Sequence, residues 1–166
     1  MLRAILDVVR AFLPGRAPRL PDAEKRSRIQ ALYASVRGDF PDVRGIGVDE
    51  LRRLAEAEKT VLVDVRSEQE QQVSMLPGAI PSEEFQANRD HYRNAVVTTY
   101  CTIGARSGRY AAELARDGFD VRNLEGGILA WTHAGGDLAG PEGPTRRVHV
   151  YGSRWNFAAD GYEPVW

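Results

Sequence analysis

The sequence predicts an α/β fold: a central, mostly parallel sheet flanked by helices, with a helical extension before it and an aromatic extension after it. Three observations carry that prediction. From Val43 onward, short apolar runs alternate with segments of helical period. Residues 95–100 are mostly apolar and β-branched, as a strand buried on both faces of a parallel sheet reads. At 166 residues, with 43% hydrophobic and 27% charged content, the chain is long enough to bury one ordinary core.

Residues 1–42 read as the helical N-terminal extension. Leu2, Ile5, Leu6, Val9 and Leu13 share one helical face, which Pro14 and Gly15 terminate. Arg3, Asp7 and Arg10 interrupt the apolar run, which is shorter than the about 20 residues a bilayer span needs. It also lacks the uncharged core and small-residue cleavage site of a signal peptide, so no transmembrane segment is expected. Such a face docks on its own domain or a dimer partner, or acts as a membrane-surface or targeting segment. A second helix is expected over Asp22–Val36, ahead of a Gly-Asp-Phe-Pro break.

Residues 43–139 read as the domain proper. The run VLVDVR, residues 61–66, is the first core strand, with Asp64 and Arg66 at its end. Arg66 stands four residues before Glu70, so a local ion pair is the leading expectation for it. Pro77 and Pro81 bracket a brief Gly-Ala-Ile strand. After strand 95–100 and the cysteine loop, Tyr110, Ala111, Leu114 and Ala115 recur at helical spacing between Ser107 and Asp117, with Gly118 at the C-terminal cap position. Arg109, one turn into this helix, either helps attract an anion or faces solvent. A strand over residues 121–124 follows, and Gly126 and Gly127 permit a tight turn into a short helix carrying Trp131, a core or rim residue.

Residues 140–166 read as the C-terminal extension. Its Gly-Pro-rich start is expected to be a linker and residues 147–151 a strand. Tyr151, Trp155, Phe157, Tyr162 and Trp166 are too many aromatics to leave in water. They pack over the domain, form a dimer seam, or wall the substrate pocket. A homodimer therefore stays open.

Composition narrows the function. A net charge of −1 and a pI near 6.3 offer no basic footprint for nucleic acid. Lysine occurs only at Lys25 and Lys59, a compositional trait that carries no function. His91, His133 and His149 show no metal-ligand spacing, and one cysteine assembles no zinc site, so neither metal nor cofactor is expected. A lone cysteine forms no disulfide within the chain, and a required free thiol fits a reducing compartment, the cytoplasm.

That cysteine is the most informative residue. Cys101 opens CTIGARS, residues 101–107, at the end of the buried strand, where Gly104 turns the chain into a helix. A free cysteine thiol, with a pKa near about 8.5, is only about 3% ionised at neutral pH, yet the thiolate is the nucleophile. Half ionisation asks for about 2 kcal/mol. Free amides at a helix start favour negative charge, and Arg106 adds a positive charge five residues on. In α/β sheets ligands bind at the carboxyl ends of strands, where Cys101 falls. On its own, a lone cysteine more often behaves as a small buried hydrophobe; the loop around it makes the difference.

The segment resembles the active-site loop of the rhodanese-like sulfurtransferases. The resemblance extends to VLVDVR with Glu68 and Glu70, LPGAI at residues 76–80, YCTIGARSGRYAAELARDGF, and NLEGGILAW with Gly135 and Gly136 after it. It implies a rhodanese-like fold in which Cys101 accepts a sulfane sulfur as a persulfide. It also implies that the amides of Thr102 to Arg106 cradle that sulfur and Arg106 holds an anionic donor such as thiosulfate. Thr102, Ile103, Gly104, Ala105, Arg106 and Ser107 are thus the candidate substrate-binding set. The implied partners are a small-molecule or protein sulfur donor and a thiol acceptor, and a covalent intermediate divides the transfer into two easier steps.

Cysteine-dependent phosphatases place five residues between cysteine and arginine, whereas four separate Cys101 from Arg106, and Ser107 occupies the phosphatase arginine position. The shorter loop makes a smaller cradle, suited to sulfur rather than to tetrahedral phosphate. The competing reading is a non-catalytic interaction or redox-sensing module in which Cys101 is reversibly oxidised.

Overall fold

A computed structural model of the chain describes residues 19–57 and 60–166. The apolar face at Leu2, Ile5, Leu6, Val9 and Leu13 lies outside the described residues. Helix α1 covers Asp22–Val36, as the sequence expects, and buries Lys25, Ile29 and Tyr33 on one face. Lys25 is buried because Asp22 and Asp160 hold its ammonium at 2.9 and 2.7 Å. The extension before the domain is thereby tied to the tail after it.

The chain then alternates as predicted: β1 (Arg44–Ile46), α2 (Val48–Ala57), β2 (Thr60–Asp64), α3 (Glu68–Val73), β3 (Ile80–Pro81), α4 (Ser82–Ala87), β4 (Val96–Tyr100), α5 (Ala105–Arg116), β5 (Val121–Leu124) and α6 (Gly127–His133). The five strands lie in the order β1-β5-β4-β2-β3, every neighbouring pair parallel. β4 is the central strand and all its residues are buried, which is why it reads as a β-branched run without alternation. Side chains alternate across the sheet. Val97 and Val121 join a core with Tyr33, Phe40 and Phe85, while Tyr100 and Leu124 join another with Ile29, Leu76 and Ile128.

Helix α5 begins two residues ahead of the expected Ser107. Gly104 takes a left-handed φ of 99° and turns the strand end directly into the helix. The helix ends as the sequence expects. Gly118, at φ 84°, donates to the Ala115 carbonyl and Phe119 donates to that of Leu114, the paired bonds of a Schellman cap.

The tail corrects one expectation. Its Gly-Pro-rich start is a hairpin rather than a linker: β6 (Leu138–Gly140) pairs antiparallel with β7 (Gly143–Thr145). Gly and Pro close turns as readily as they loosen linkers, so composition alone did not separate the two. β8 (Arg147–His149) then pairs in parallel with β9 (Glu163–Val165), and Val148, Val150, Phe157 and Ala158 are buried in the same core as Leu124 and Ile128. β8 stops two residues short of the expected Tyr151, whose φ of 70° leaves the strand conformation.

A second correction concerns Arg66. It lies in the bend before α3, where the spacing rule of a helix face does not apply, and it pairs with Asp64 instead of Glu70. Both side chains are fully buried, with Nη2 to Oδ2 at 2.7 Å and Nε to Oδ1 at 3.0 Å. Asp64 also accepts the Tyr100 hydroxyl at 2.6 Å, Arg66 donates to the Ser74 carbonyl at 2.6 Å, and the Leu76 amide donates to Tyr100 at 3.1 Å. The cluster locks together the carboxyl ends of β2 and β4. Replacing Asp64 by Ala strands a buried guanidinium, so Asp64→Ala should cost about 3–5 kcal/mol in urea denaturation. A loss under about 1 kcal/mol would contradict this role.

Candidate active site

Cys101 leaves the carboxyl end of β4 and is buried, 1% exposed. The loop after it is held from behind. The Ile128 amide donates to the Cys101 carbonyl at 2.9 Å and the Leu129 amide to the Thr102 carbonyl at 3.3 Å, while the Asn123 side-chain amide donates to the Gly104 carbonyl at 2.9 Å. In a planar trans peptide the N–H points opposite the C=O. Anchoring these carbonyls therefore turns the amides of Thr102, Ile103 and Ala105 the other way. The Gly104 amide meets Sγ directly, at 3.2 Å. No side chain caps the start of α5, so its first-turn amides keep the unmet donor capacity of a helix N-terminus.

Two glycines make the approach close enough. A Cβ at Gly127, which has φ 56°, would fall 2.2 Å from the Cys101 carbonyl oxygen, and one at Gly104 would meet the Tyr33 ring at 2.8 Å. Tyr33 comes from α1, so the N-terminal extension packs directly against the loop.

Ser107 is fully buried and faces inward. Its hydroxyl donates to Asn123 Oδ1 at 2.7 Å, and its carbonyl accepts from Thr99 Oγ1 at 3.1 Å. Thr102 lies beside Arg106, whose Nη2 reaches its hydroxyl at 3.1 Å. Arg109 is exposed and pairs with Asp39 at 2.5 Å, away from the loop. His91, His133 and His149 do not converge, and no group of three or more His, Cys, Asp or Glu able to hold a metal ion occurs among the described residues. No helix among them is long and apolar enough to cross a membrane.

Arg106 is placed in a way the sequence did not suggest. Its guanidinium forks onto Glu70, with Nη1 to Oε2 and Nη2 to Oε1 both at 2.7 Å. The same carboxylate completes a capping box at the start of α3: Ser67 N–H donates to Oε2 at 2.9 Å and Ser67 Oγ accepts from the Glu70 amide. Burial by itself would raise the Glu70 pKa. Hydrogen bonds from Arg106 and the Ser67 amide, with the Arg106 charge, outweigh it and lower the carboxyl to about 2. Arg106 is shifted upward, first by the Glu70 hydrogen bonds, against its burial, with its interactions with Cys101 and the Glu70 charge adding to the shift.

His149 also belongs to this neighbourhood. Its Nδ1 lies 3.9 Å from Glu70 Oε1 and accepts the Tyr151 amide at 3.1 Å, which puts the proton of the neutral ring on Nε2. Burial lowers its pKa, against the pull of Glu70 and helped by the Arg66 and Arg106 charges. Sequence reasoning missed Glu70, Asn123 and His149 as members of the site. The first was legible in the Ser67-to-Glu70 capping spacing and the second as an asparagine inside a buried strand.

The sulfur sits at the base of a cavity of about 170 Å³ lined by Cys101, Thr102, Ile103, Ala105, Arg106, Tyr151 and Trp155. A larger cleft of about 680 Å³, between α1 and α6, does not reach the cysteine. The chemistry lies in the smaller one, where a nucleophile, oriented amides and an ion pair meet.

Comparisons with known proteins bear on the family and the fold. A family model described as a rhodanese-like domain matches residues 47–134. A protein named sulfurtransferase from Allochromatium vinosum is 37% identical over 102 residues, 55% of this chain and 90% of that one. A tRNA uridine(34) hydroxylase from Shouchella clausii is 33% identical over 92 residues, 49% of this chain but 29% of its own length. A thiosulfate sulfurtransferase structure from Pseudomonas aeruginosa aligns with TM-score 0.55 at 23% identity, over 68% of this chain and 23% of that one, a likeness of fold.

The Glu70 shift makes stability acid-sensitive. Its folded pKa of about 2 lies below the ordinary 4.5, so the stabilisation is complete above 4.5 and disappears as pH falls toward 2. Urea denaturation between pH 6 and pH 2.5, conditions set by these values, should lose up to about 3 kcal/mol from this group. Glu70→Gln should lower stability at neutral pH and flatten that acid slope; an unchanged slope would remove Glu70 as its source.

Proposed function

The chain belongs to the rhodanese-like domain family, and from that premise we propose that it is a sulfurtransferase that moves a sulfane sulfur, from a donor such as thiosulfate, to a thiophilic acceptor through a persulfide on Cys101. The observation that carries this is Cys101 Sγ at the end of the central strand, met at 3.2 Å by the Gly104 amide beside an uncapped helix start. An anionic sulfur extending from Sγ would lie among the amides of Thr102, Ile103, Gly104, Ala105 and Arg106, of which those of Thr102, Ile103 and Ala105 are oriented by the anchored carbonyls behind them. Cys101 is the nucleophile. Arg106 lines the pocket and, through Glu70, keeps the loop closed; Ser107 holds the loop from its buried side through Asn123.

The sulfurtransferase from A. vinosum, most of whose length this chain matches, supports the reaction class. The tRNA uridine(34) hydroxylase extends well beyond the shared segment, so its reaction is not carried over. In this reading residues 43–139 are the transferase domain, flanked by the extensions 1–42 and 140–166, of which residues 19–42 and 140–166 pack against it. A donor and a thiol acceptor, rather than nucleic acid, are the partners, and the free thiol suits a reducing compartment such as the cytoplasm.

Intact mass spectrometry tests the proposal. After incubation with thiosulfate or inorganic polysulfide the protein should gain one sulfur atom, which cyanide removes as thiocyanate, and Cys101→Ser should do neither while keeping its fold. Turnover persisting in Cys101→Ser would remove the mechanism. A protein that takes up no sulfur but forms sulfenic acid or mixed disulfides under oxidant would instead be a redox-sensing module.

A further inference from the structure

Tyr151 and Trp155 lie outside the segment matched by the family model, yet they form one wall of the cysteine pocket. We propose that these two residues make the pocket selective for organic sulfane-sulfur donors that carry a small aromatic or similarly apolar body, of the arenethiosulfonate class, over inorganic thiosulfate. This inference rests on the sulfur-transfer reading and names its substrate class.

Charge is the first argument. Thiosulfate is a dianion, and among the described residues Arg106 is the only charged side chain lining the pocket. Both terminal nitrogens of Arg106 are taken at 2.7 Å by the Glu70 carboxylate, and Nη2 also reaches Thr102. The Tyr151 ring covers the guanidinium with its centroid at 5.5 Å. Arg106 therefore faces the pocket with its charge offset from behind by the buried Glu70 carboxylate, and what remains of that charge does little to offset the hydration a dianion gives up on entering. The loop amides stabilise one negative sulfur, which either donor supplies.

Shape and apolarity are the second. Apart from Arg106 and Thr102, the lining residues are Ile103, Ala105, the cysteine and two aromatic residues. A volume of about 170 Å³ is well below the roughly 300–1,000 Å³ of sites for drug-sized ligands. It suits one ring-sized body against Trp155 and Tyr151, in offset or edge contact.

The backbone supplies the third. Tyr151 is the only non-glycine residue with positive φ among the described residues, at 70°, and its amide is held by His149 Nδ1 at 3.1 Å. Such a conformation is unfavourable for a residue that carries a Cβ. Here it places a 63% exposed ring over the pocket mouth rather than in the core.

The transfer balances without any further reagent. The Cys101 thiolate attacks the terminal sulfur of R–SO2–S⁻, the new Sγ–S bond forms, and the sulfonyl–sulfur bond breaks. The electron pair leaves on the sulfinate, R–SO2⁻, and the persulfide anion remains on Cys101. Cyanide then takes that sulfur as thiocyanate and restores the thiolate.

The test measures kcat/KM for benzenethiosulfonate and for thiosulfate with cyanide as acceptor, by thiocyanate release. Each value is divided by the donor's rate with a small free thiol, so that intrinsic reactivity cancels. The full chain should favour the aryl donor by about tenfold or more, the order one well-placed apolar group contributes. Trp155→Ala and Tyr151→Asn, the latter tolerant of the left-handed backbone, should each bring the ratio down at least about threefold. Should Trp155→Ala fail to fold, as read by circular dichroism, Tyr151→Asn decides alone. A corrected ratio near one, or a ratio unmoved in the folded variants, overturns the inference. Loading by inorganic polysulfide, read by intact mass, separates the two readings. If polysulfide loads Cys101 and the ratio is flat, only the selectivity fails; if no donor loads it, the transferase reading fails and the selectivity with it.

Discussion

The fork between Arg106 and Glu70 is the contact on which the rest of the site depends. One carboxylate caps α3 through Ser67 and also receives both terminal nitrogens of an arginine in the first turn of α5. The helix after β2 and the helix after β4 are thus fastened at their N-termini, on either side of the cysteine loop. Paired, hydrogen-bonded charges of this kind survive burial because each satisfies the other, and the low Glu70 pKa reflects that. The arrangement also has a chemical consequence. The arginine that closes the loop is largely occupied in closing it, so in the proposed transfer the negative charge of the sulfur would rest mainly on the backbone amides.

Those amides are oriented from the protein's interior. Asn123 accepts from the Ser107 hydroxyl and donates to the Gly104 carbonyl from inside β5, and the first amides of α6 hold the carbonyls of Cys101 and Thr102. A buried polar group without partners is costly, so a satisfied network of this kind admits one loop conformation rather than several. The close approach of α6 explains Gly127, where any side chain would collide with the Cys101 carbonyl.

The described parts of both flanking segments belong to the same packed unit. Tyr33 from α1 rests against Gly104, Lys25 reaches Asp160, and Val148, Val150 and Phe157 enter the core beneath Leu124 and Ile128. After Val150 the tail leaves that core and brings two aromatic residues to the wall of the cysteine pocket. A scaffold shared with other proteins thus acquires its pocket wall from residues outside the shared segment, as expected where function resides in sites carried on a fold.

The sequence by itself determined the strand and helix order, the placement of Cys101 at a strand end, and the limits of α1, β5 and the Gly118 cap. Each of these follows from local signals: side-chain period, turn residues and capping positions read within a few residues of one another. Only the tertiary structure decided which charges pair. Arg66 chose Asp64 over Glu70, and Glu70 chose an arginine 36 residues away, because burial and direction, not spacing along the chain, select a partner. It likewise decided that the Gly-Pro-rich stretch closes a hairpin, that Arg109 turns outward to Asp39, and that Tyr151 and Trp155 face the cysteine. Sequence periodicity records which residues are buried; what each one is buried against is set by elements distant in the chain, and the pocket is built from those contacts.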